Sequence, residues 1–274
     1  MYEKYYGLKE KPFSIQPDPD FLFLGFRHSL AYASLEYAID NRAAFCVLSG
    51  EIGCGKTMLI RELMNRMGRN MRVGLINSTR IEEEELLPWV MLAFGQPYEG
   101  RSRIALADHF QQFLISEYGA GRRTLLIIDE AQAMSPGALE SLRLLSNINA
   151  DKDQLLQMIL VGQPQLKELL CRPGLEQFRQ RVAVDFHLAP LDEEDVSLYI
   201  AHRIEVAGGN PKLFALDACM KIARVSRGVP RTINILCDTA MTYGFAAEAE
   251  TIGVELVDEV LRDRSQYGVF SPAN

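Results

Sequence analysis

No apolar run in this 274-residue chain approaches the roughly 18 to 20 residues that a membrane span requires; stretches such as Leu125 to Ile128 are far shorter. A transmembrane helix, and with it direct insertion into a bilayer, is excluded. The amino terminus also lacks a secretory signal, since Met1-Tyr2-Glu3-Lys4 turns polar at once and no apolar core with a small-residue cleavage site follows. Both absences predict a cytoplasmic protein. Cysteine is sparse: Cys46, Cys54, Cys171, Cys219 and Cys237 are scattered, with no C-x-x-C pair and no histidine at zinc spacing. They read as reduced, mostly buried small hydrophobes, and a chain of this length buries a large core without staples. Lysine is scarce too, 8 against 21 Arg. The 36 acidic residues outweigh the 29 basic ones to give −7, which disfavours indiscriminate coating of nucleic acid. Arginine-rich usage suits phosphate recognition.

What remains is an ordinary globular composition, 48% hydrophobic and 24% charged, without repeats or low-complexity blocks. At about 150 residues per domain the length predicts two domains. Met1 to Leu24 is aromatic and broken by Pro12, Pro17 and Pro19, so it reads as an extended segment pinned by its aromatics onto something larger. A helix is expected from Arg27 to Ile39. Five short apolar runs then read as buried strands: Ala44 to Leu48, Val73 to Ile76, Leu125 to Ile128, Met158 to Val161 and Val182 to Phe186. Helical spacing separates them. Thr79 and Glu82 form a capping-box pattern before Glu83-Glu84-Glu85, and acidic residues in a first turn are favourable by the helix dipole alone. Ser135-Pro136 marks another helix start. Continuously apolar strands alternating with helices imply a parallel sheet covered on both faces. Beyond Pro190 the strand signal stops, and Asp192–Ala207, Leu216–Val225, Pro230–Phe245 and Val254–Arg262 have helical spacing. The expected domains are an N-terminal segment (1–26), an α/β core (27–189), a helical domain (190–265) and a tail (266–274).

The chemistry lies in four elements. Gly50-Glu51-Ile52-Gly53-Cys54-Gly55-Lys56-Thr57 fits G-x-x-x-x-G-K-[ST], entered by a strand and left by a helix that opens on Lys56, Thr57 and Met58. Its glycines let successive backbone N–H groups wrap phosphates at a helix N-terminus. Lys56 would reach the β- and γ-phosphates, and the Thr57 hydroxyl would ligate Mg²⁺. Cys54 fills a variable position of the motif. Second, the strand Leu125 to Ile128 ends in Asp129-Glu130, a Walker B pattern beside a P-loop: Asp129 for Mg²⁺, Glu130 to polarise the attacking water. Third, Asn77 and Gln163 follow strands, and carboxyl ends of parallel strands face the ligand crevice. Asn77 is a candidate to hold Glu130 in an inactive rotamer. Fourth, Arg179 and Arg181 precede the fifth strand, and Gly228-Val229-Pro230-Arg231 opens a helix. From Lys212 to Arg231 there are five basic residues and one acid, a local reversal in an acidic domain that suggests a face turned to phosphate.

In this order the elements look like an AAA+ ATPase. Tyr6-Gly7-Leu8, Lys11-Pro12-Phe13, Pro17-Asp18-Pro19, Leu142-Arg143-Leu144-Leu145-Ser146-Asn147 and Leu160-Val161-Gly162-Gln163-Pro164-Gln165-Leu166 further resemble the ATPase domain of the general secretion pathway protein A family, which includes pilus-biogenesis and exosortase-associated ATPases. The resemblance covers roughly Met1 to Arg264. It implies a P-loop NTPase core whose five-stranded parallel sheet has the order 5-1-4-3-2, an all-helical lid, and subunits that pack as a ring or open ring. ATP with Mg²⁺ would sit between core and lid, near Phe13 to Ile15. Gln163 becomes sensor 1, Arg231 sensor 2, and Arg179 or Arg181 the finger that reaches a neighbour's γ-phosphate; the sequence does not choose between those two. Secretion-type members continue after the lid into a transmembrane helix and a peptidoglycan-binding domain; this sequence stops at Asn274, as expected either of a short, stand-alone member like the pilus ATPases or of a piece cut from a longer chain.

Three functions compete for the ATPase cycle. The resemblance favours assembly or energising of a cell-envelope machine, with recruitment to the inner membrane by a partner protein. A DNA-associated, transposition-type regulator shares the core, but the net charge and the lack of a DNA-reading motif count against it. A nucleotide-controlled scaffold with little turnover would not require Asp129, Glu130 and Gln163 together. No GTP-type N-K-x-D element is present.

Overall fold

Each expected apolar run is a strand, and each extends a residue or more past the run that announced it. The computed structural model describes residues 1–77, 80–150 and 153–267. In chain order the elements are α1 (Tyr2–Tyr5), α2 (Phe26–Asp40), β1 (Phe45–Gly50), α3 (Lys56–Arg66), β2 (Met71–Asn77), α4 (Glu83–Ala93), α5 (Arg103–Gly119), β3 (Arg123–Asp129), α6 (Pro136–Leu145), β4 (Leu156–Gly162), α7 (Gln165–Leu170), α8 (Glu176–Arg179), β5 (Val182–Leu188), α9 (Glu193–Val206), α10 (Leu216–Ser226), α11 (Pro230–Ala246) and α12 (Val254–Tyr267). A short antiparallel pair, Asn149–Ala150 with Asp153–Gln154, precedes β4.

The chain divides into two compact units. The first, Leu30–Ile52 with Ile60–Leu188, holds the sheet. Its strands run β2-β3-β4-β1-β5, all neighbours parallel, which is the order 5-1-4-3-2 read from the other edge. Every residue of β4, and β3 from Thr124 to Asp129, is buried. Since successive side chains on a strand point to opposite faces, both faces of these central strands are covered. The edge strand β5 alternates in exposure along most of its length. Phe45 packs against Phe178 with ring centroids 4.4 Å apart, and Phe94 sits 5.3 Å from Phe113. In register, Asn77 lies opposite Asp129, Ile128 opposite Leu160, Ser49 opposite Gly162 and Gly50 opposite Leu188. The carboxyl ends of the strands therefore assemble Gly50, Asn77, Asp129 and Gly162 on one edge of the sheet, where open α/β sheets bind ligands.

The second unit comprises Met1–Ser29, Gly53–Leu59 and the chain from Ala189 onward. Helices α9 to α12 surround a core that includes Val196, Ile200, Ile222, Ile233, Met241 and Val257. The N-terminal segment belongs to that core: Tyr2, Leu8, Phe13 and Phe21 are all buried in it. It is not wholly extended. Tyr2–Tyr5 forms a helical turn, because the first proline comes only at Pro12, and Pro19–Phe21 is a 3-10 turn capped by the Asp18 carboxylate. A buried polar chain holds the segment in place. Arg203 donates to the Pro12 carbonyl and, at 2.9 Å, to the Tyr199 hydroxyl; Tyr199 donates to Asn234 Oδ1 at 2.7 Å, and Asn234 Nδ2 donates to the Ser14 carbonyl at 3.1 Å.

Two helix starts illustrate what local chemistry decides. Ser135 caps α6, its hydroxyl accepting from the Ala138 N–H at 3.2 Å with Pro136 in the first turn, as the sequence predicts. Helix α4 instead has Glu82 as its cap, three residues later than the capping-box pattern proposed; Thr79 lies outside the described residues. Gln266 and Tyr267, expected in the tail, close α12, and residues 268–274 lie outside the described residues. Of the five cysteines four are buried and Cys171 is exposed; burial pushes the Cys46 thiol up to about 12 and the Cys219 thiol up to about 11. No helix among the described residues is long and apolar enough to cross a membrane.

Candidate functional site

In the sheet-bearing unit the site is built where β3 and β4 end. Asp129 is the last residue of β3 and is buried, and its Oδ1 accepts from the Glu130 N–H at 2.9 Å. That short loop is possible because Glu130 adopts a left-handed backbone, φ +57°. Such a conformation costs a non-glycine residue about 1 to 3 kcal/mol and persists only where surrounding contacts hold it. The holding contacts are amides. Gln132 Nε2 donates to Glu130 Oε2 at 2.6 Å, Gln163 Nε2 donates to the same oxygen at 3.3 Å, and the Gln163 backbone N–H donates to Gln132 Oε1 at 3.0 Å. Asn77 is exposed at the end of β2, opposite Asp129 in register, and makes no hydrogen bond to Glu130 among the described residues. Gln132 and Gln163 occupy the position that sequence reasoning offered to Asn77.

The same unit separates the two candidate finger arginines. Arg181 Nη1 donates to Ser146 Oγ at 2.6 Å and to the Arg143 carbonyl at 3.4 Å. It is committed to the end of α6. Arg179, the last residue of α8, is exposed, and its side chain makes no hydrogen bond or ion pair among the described residues.

In the helical unit the glycine-rich loop passes into α3. Gly53 (φ +82°) and Gly55 (φ +95°) take the left-handed conformations that let consecutive N–H groups face one side, and α3 opens on Lys56, itself buried. Cys54 between the glycines is fully buried, while Glu51 and Ile52 before them are exposed. The loop meets α11: the Arg231 N–H donates to the Gly53 carbonyl at 3.2 Å. It also meets α2, where buried His28 places Nε2 2.9 Å from the Cys54 carbonyl. A carbonyl can only accept, so Nε2 carries the proton. Burial holds the His28 imidazole below its ordinary pKa; the Cys54 bond and Asp195 oppose that shift.

Next to the start of α3 a recess is lined by Phe21, Phe23, His28, Met58, Tyr199 and Arg203. Phe13 is not at this recess; it is buried edge-on to Phe214, with centroids 5.9 Å apart, and Ile15 is 59% exposed. Of the five basic residues of the strip, Lys221 pairs with Asp258 at 2.8 Å and Arg224 approaches Glu193 at 3.8 Å, while the Arg231 backbone abuts the glycine-rich loop. Sequence reasoning missed the Gln132 bond to Glu130 and the His28 contact with the glycine-rich loop. Gln132 had a local signal, an amide two residues after Glu130; His28 reaches the loop from another part of the chain.

In the helical unit, left-handed glycines at a helix start present N–H groups of the kind that suit phosphate; in the sheet-bearing unit, Asp129 offers hard oxygens of the kind that magnesium prefers. Residues 39–170 match the AAA domain family. General secretion pathway protein A of Aeromonas hydrophila is 38% identical over 253 residues, covering 92% of this chain and 46% of that protein, so the chain spans less than half the length of this curated relative. Among solved structures, the ADP form of the ORC2 protein of Aeropyrum pernix has a TM-score of 0.66 at 17% identity, covering 91% of this chain and 70% of that one. A Walker-type ATPase of Pyrococcus abyssi has a TM-score of 0.61 at 15% identity, covering 93% and 77%. At those identities the structures establish the fold alone. The chain thus has an α/β P-loop fold with a C-terminal helical region, its residues 39–170 match the AAA domain model, and over nearly its whole length it is similar to general secretion pathway protein A.

Proposed function

We propose that this protein hydrolyses ATP to ADP and phosphate as an oligomer and uses the cycle to assemble or energise a cell-envelope machine. The observation that carries the chemistry is the Glu130 carboxylate at the end of β3, fixed by two side-chain amides beside Asp129. A carboxylate held in one orientation at that position is suited to orient water against a phosphoryl group. Lys56 and the N–H groups of Gly53 to Thr57 would hold the β- and γ-phosphates. We assign a magnesium ion to Thr57 and Asp129; when bound it would neutralise charge developing on the phosphate oxygens. Gln163 would address the γ-phosphate as sensor 1, and Arg231 would do so from α11.

Arg179 is the finger we assign in trans. Its exposure, with no side-chain hydrogen bond or ion pair among the described residues, supports that role, whereas Arg181 is engaged with Ser146. The envelope machine rests on the 38% identity to general secretion pathway protein A, and a membrane-associated partner protein would recruit the chain to the inner membrane.

An arginine finger contributes about 10³ to 10⁵ in rate, so specific activity should rise steeply with protein concentration. ATP turnover measured across a dilution series, with oligomer size determined in parallel, tests this. A specific activity independent of concentration in a dispersed monomer would remove the trans arginine. Strong, salt-sensitive stimulation by duplex DNA would move the cycle from an envelope machine to a DNA-associated one.

A further inference from the structure

We infer that Gln132 is a positioning residue, a clamp that fixes the distance and angle between Glu130 and Gln163 so that both address one phosphoryl group. The inference rests on the reading that Glu130 orients the attacking water.

Both ends of the Gln132 amide are used. Nε2 donates to Glu130 Oε2 at 2.6 Å, and Oε1 accepts from the Gln163 backbone N–H at 3.0 Å. The amide has only one workable orientation. Rotated by half a turn it would set its NH₂ against an N–H and its carbonyl against a carboxylate. Gln163 closes the triangle by donating through Nε2 to Glu130 Oε2 at 3.3 Å. Oε2 is thereby occupied by two donors, and among the described residues no hydrogen bond reaches Oε1. That oxygen is the one left for water. A carboxylate pinned through one oxygen loses the rotational freedom that would otherwise have to be lost during the reaction, which is the advantage of a prepaid geometry.

Gly162 makes room for the clamp. A Cβ built there would lie 2.6 Å from Gln132 Oε1, closer than real Cβ atoms approach, with Leu166 atoms at 3.0 and 3.1 Å. Gly162 is the last residue of β4, immediately before Gln163. The bare strand end and the amide thus form a matched pair: an alanine at 162 would push the Gln132 amide aside without touching its chemistry. The left-handed Glu130 backbone, φ +57°, belongs to the same arrangement.

The test is steady-state ATP hydrolysis and equilibrium ATP affinity of the full chain for Gln132→Ala, Gly162→Ala, Glu130→Gln and the double variant Gln132→Ala/Glu130→Gln. A displacement of about 1 Å at a reacting centre costs on the order of 10²-fold, so Gln132→Ala and Gly162→Ala should each lower kcat by about that factor. ATP affinity should stay within about threefold, because the clamp contributes to turnover rather than to ground-state binding. In the Glu130→Gln background, Gln132→Ala should cost nothing more, since residues that act as one unit are not additive. A merely structural glutamine would lower thermal stability and reduce the rate in both backgrounds. Near-normal kcat in both Gln132→Ala and Gly162→Ala, with Glu130→Gln inactive, would overturn the clamp alone. Near-normal hydrolysis by Glu130→Gln would instead overturn the role of Glu130 on which the clamp depends. If Gln132→Ala does not fold, Gly162→Ala decides the matter by itself.

Discussion

The backbone N–H of Arg231 donates to the Gly53 carbonyl across 3.2 Å, and the two residues pack so tightly that a Cβ on Gly53 would lie 2.6 Å from the Arg231 Cβ. The glycine-rich loop and the first turn of α11 are therefore one mechanical piece, and a nucleotide that orders the loop must be felt at Arg231. Gly53 is needed twice, for its φ of +82° and for this approach. Gly53→Ala should weaken ATP binding at least about tenfold, because the N–H groups lose their common direction, at a stability cost of about 1 to 3 kcal/mol. Titration with a fluorescent ATP analogue, alongside urea unfolding, checks both numbers; unchanged affinity would mean that this glycine does not shape a phosphate site.

Arg179 and Arg181 stand two residues apart and should fail differently. Arg179→Ala should leave the melting temperature unchanged and lower turnover by about 10³-fold or more. Activity should return when these subunits are mixed with Lys56→Ala subunits, which lack the lysine and keep the arginine. Arg181→Ala removes the bond to Ser146 and should destabilise the fold by about 1 to 2 kcal/mol. Loss of turnover confined to Arg181→Ala would reverse the assignment.

Asn234 joins the N-terminal segment to the helical unit. Asn234→Ala leaves the buried Tyr199 hydroxyl without its acceptor and the Ser14 carbonyl without its donor. Leaving such groups unsatisfied costs about 1 to 3 kcal/mol each before relaxation, so urea unfolding should show a destabilisation of about 1 to 3 kcal/mol. A change below about 0.5 kcal/mol, the range of ordinary surface substitutions, would show that the network does not pin the segment.

His28 predicts a pH dependence. Burial lowers its folded pKa beneath the ordinary value of about 6.5, so between the two values the unfolded chain binds more protons and stability rises with pH. The contribution is present above about pH 6.5 and is lost as pH falls toward the folded pKa. Asp195, the acidic neighbour, has its carboxyl raised by burial, so its own contribution has the opposite sign. Urea unfolding at pH 5, 6 and 7 should therefore show a smaller slope for His28→Gln than for the native chain; equal slopes would dismiss the histidine as the source.

The legible parts of the molecule are those encoded in consecutive residues. The five strands, the glycine-rich loop and the Asp129-Glu130 strand end each follow from local runs, and the sheet order follows from the resemblance they carry. The cap at Ser135 was legible for the same reason, since the serine, the proline and the accepting geometry lie within four residues. The capping box at Thr79 and Glu82 misled because Glu82 has an extended backbone and the helix starts after it. The short helix at Tyr2–Tyr5 is not legible from the prolines, because it begins ten residues before the first of them, Pro12. His28 lies 26 residues before the carbonyl it contacts, and Gln132 lies 31 before the Gln163 N–H it accepts. No periodicity links such pairs; only the folded chain brings them together.

The proposed hydrolysis depends most directly on Glu130. Its central measurement is ATP turnover and ATP affinity of Glu130→Gln beside the native chain, at a protein concentration where the native chain is oligomeric. Removal of a positioned general base costs about 10² to 10⁴ in rate, so turnover should fall by that factor while affinity is retained. Near-normal hydrolysis by Glu130→Gln would contradict the account.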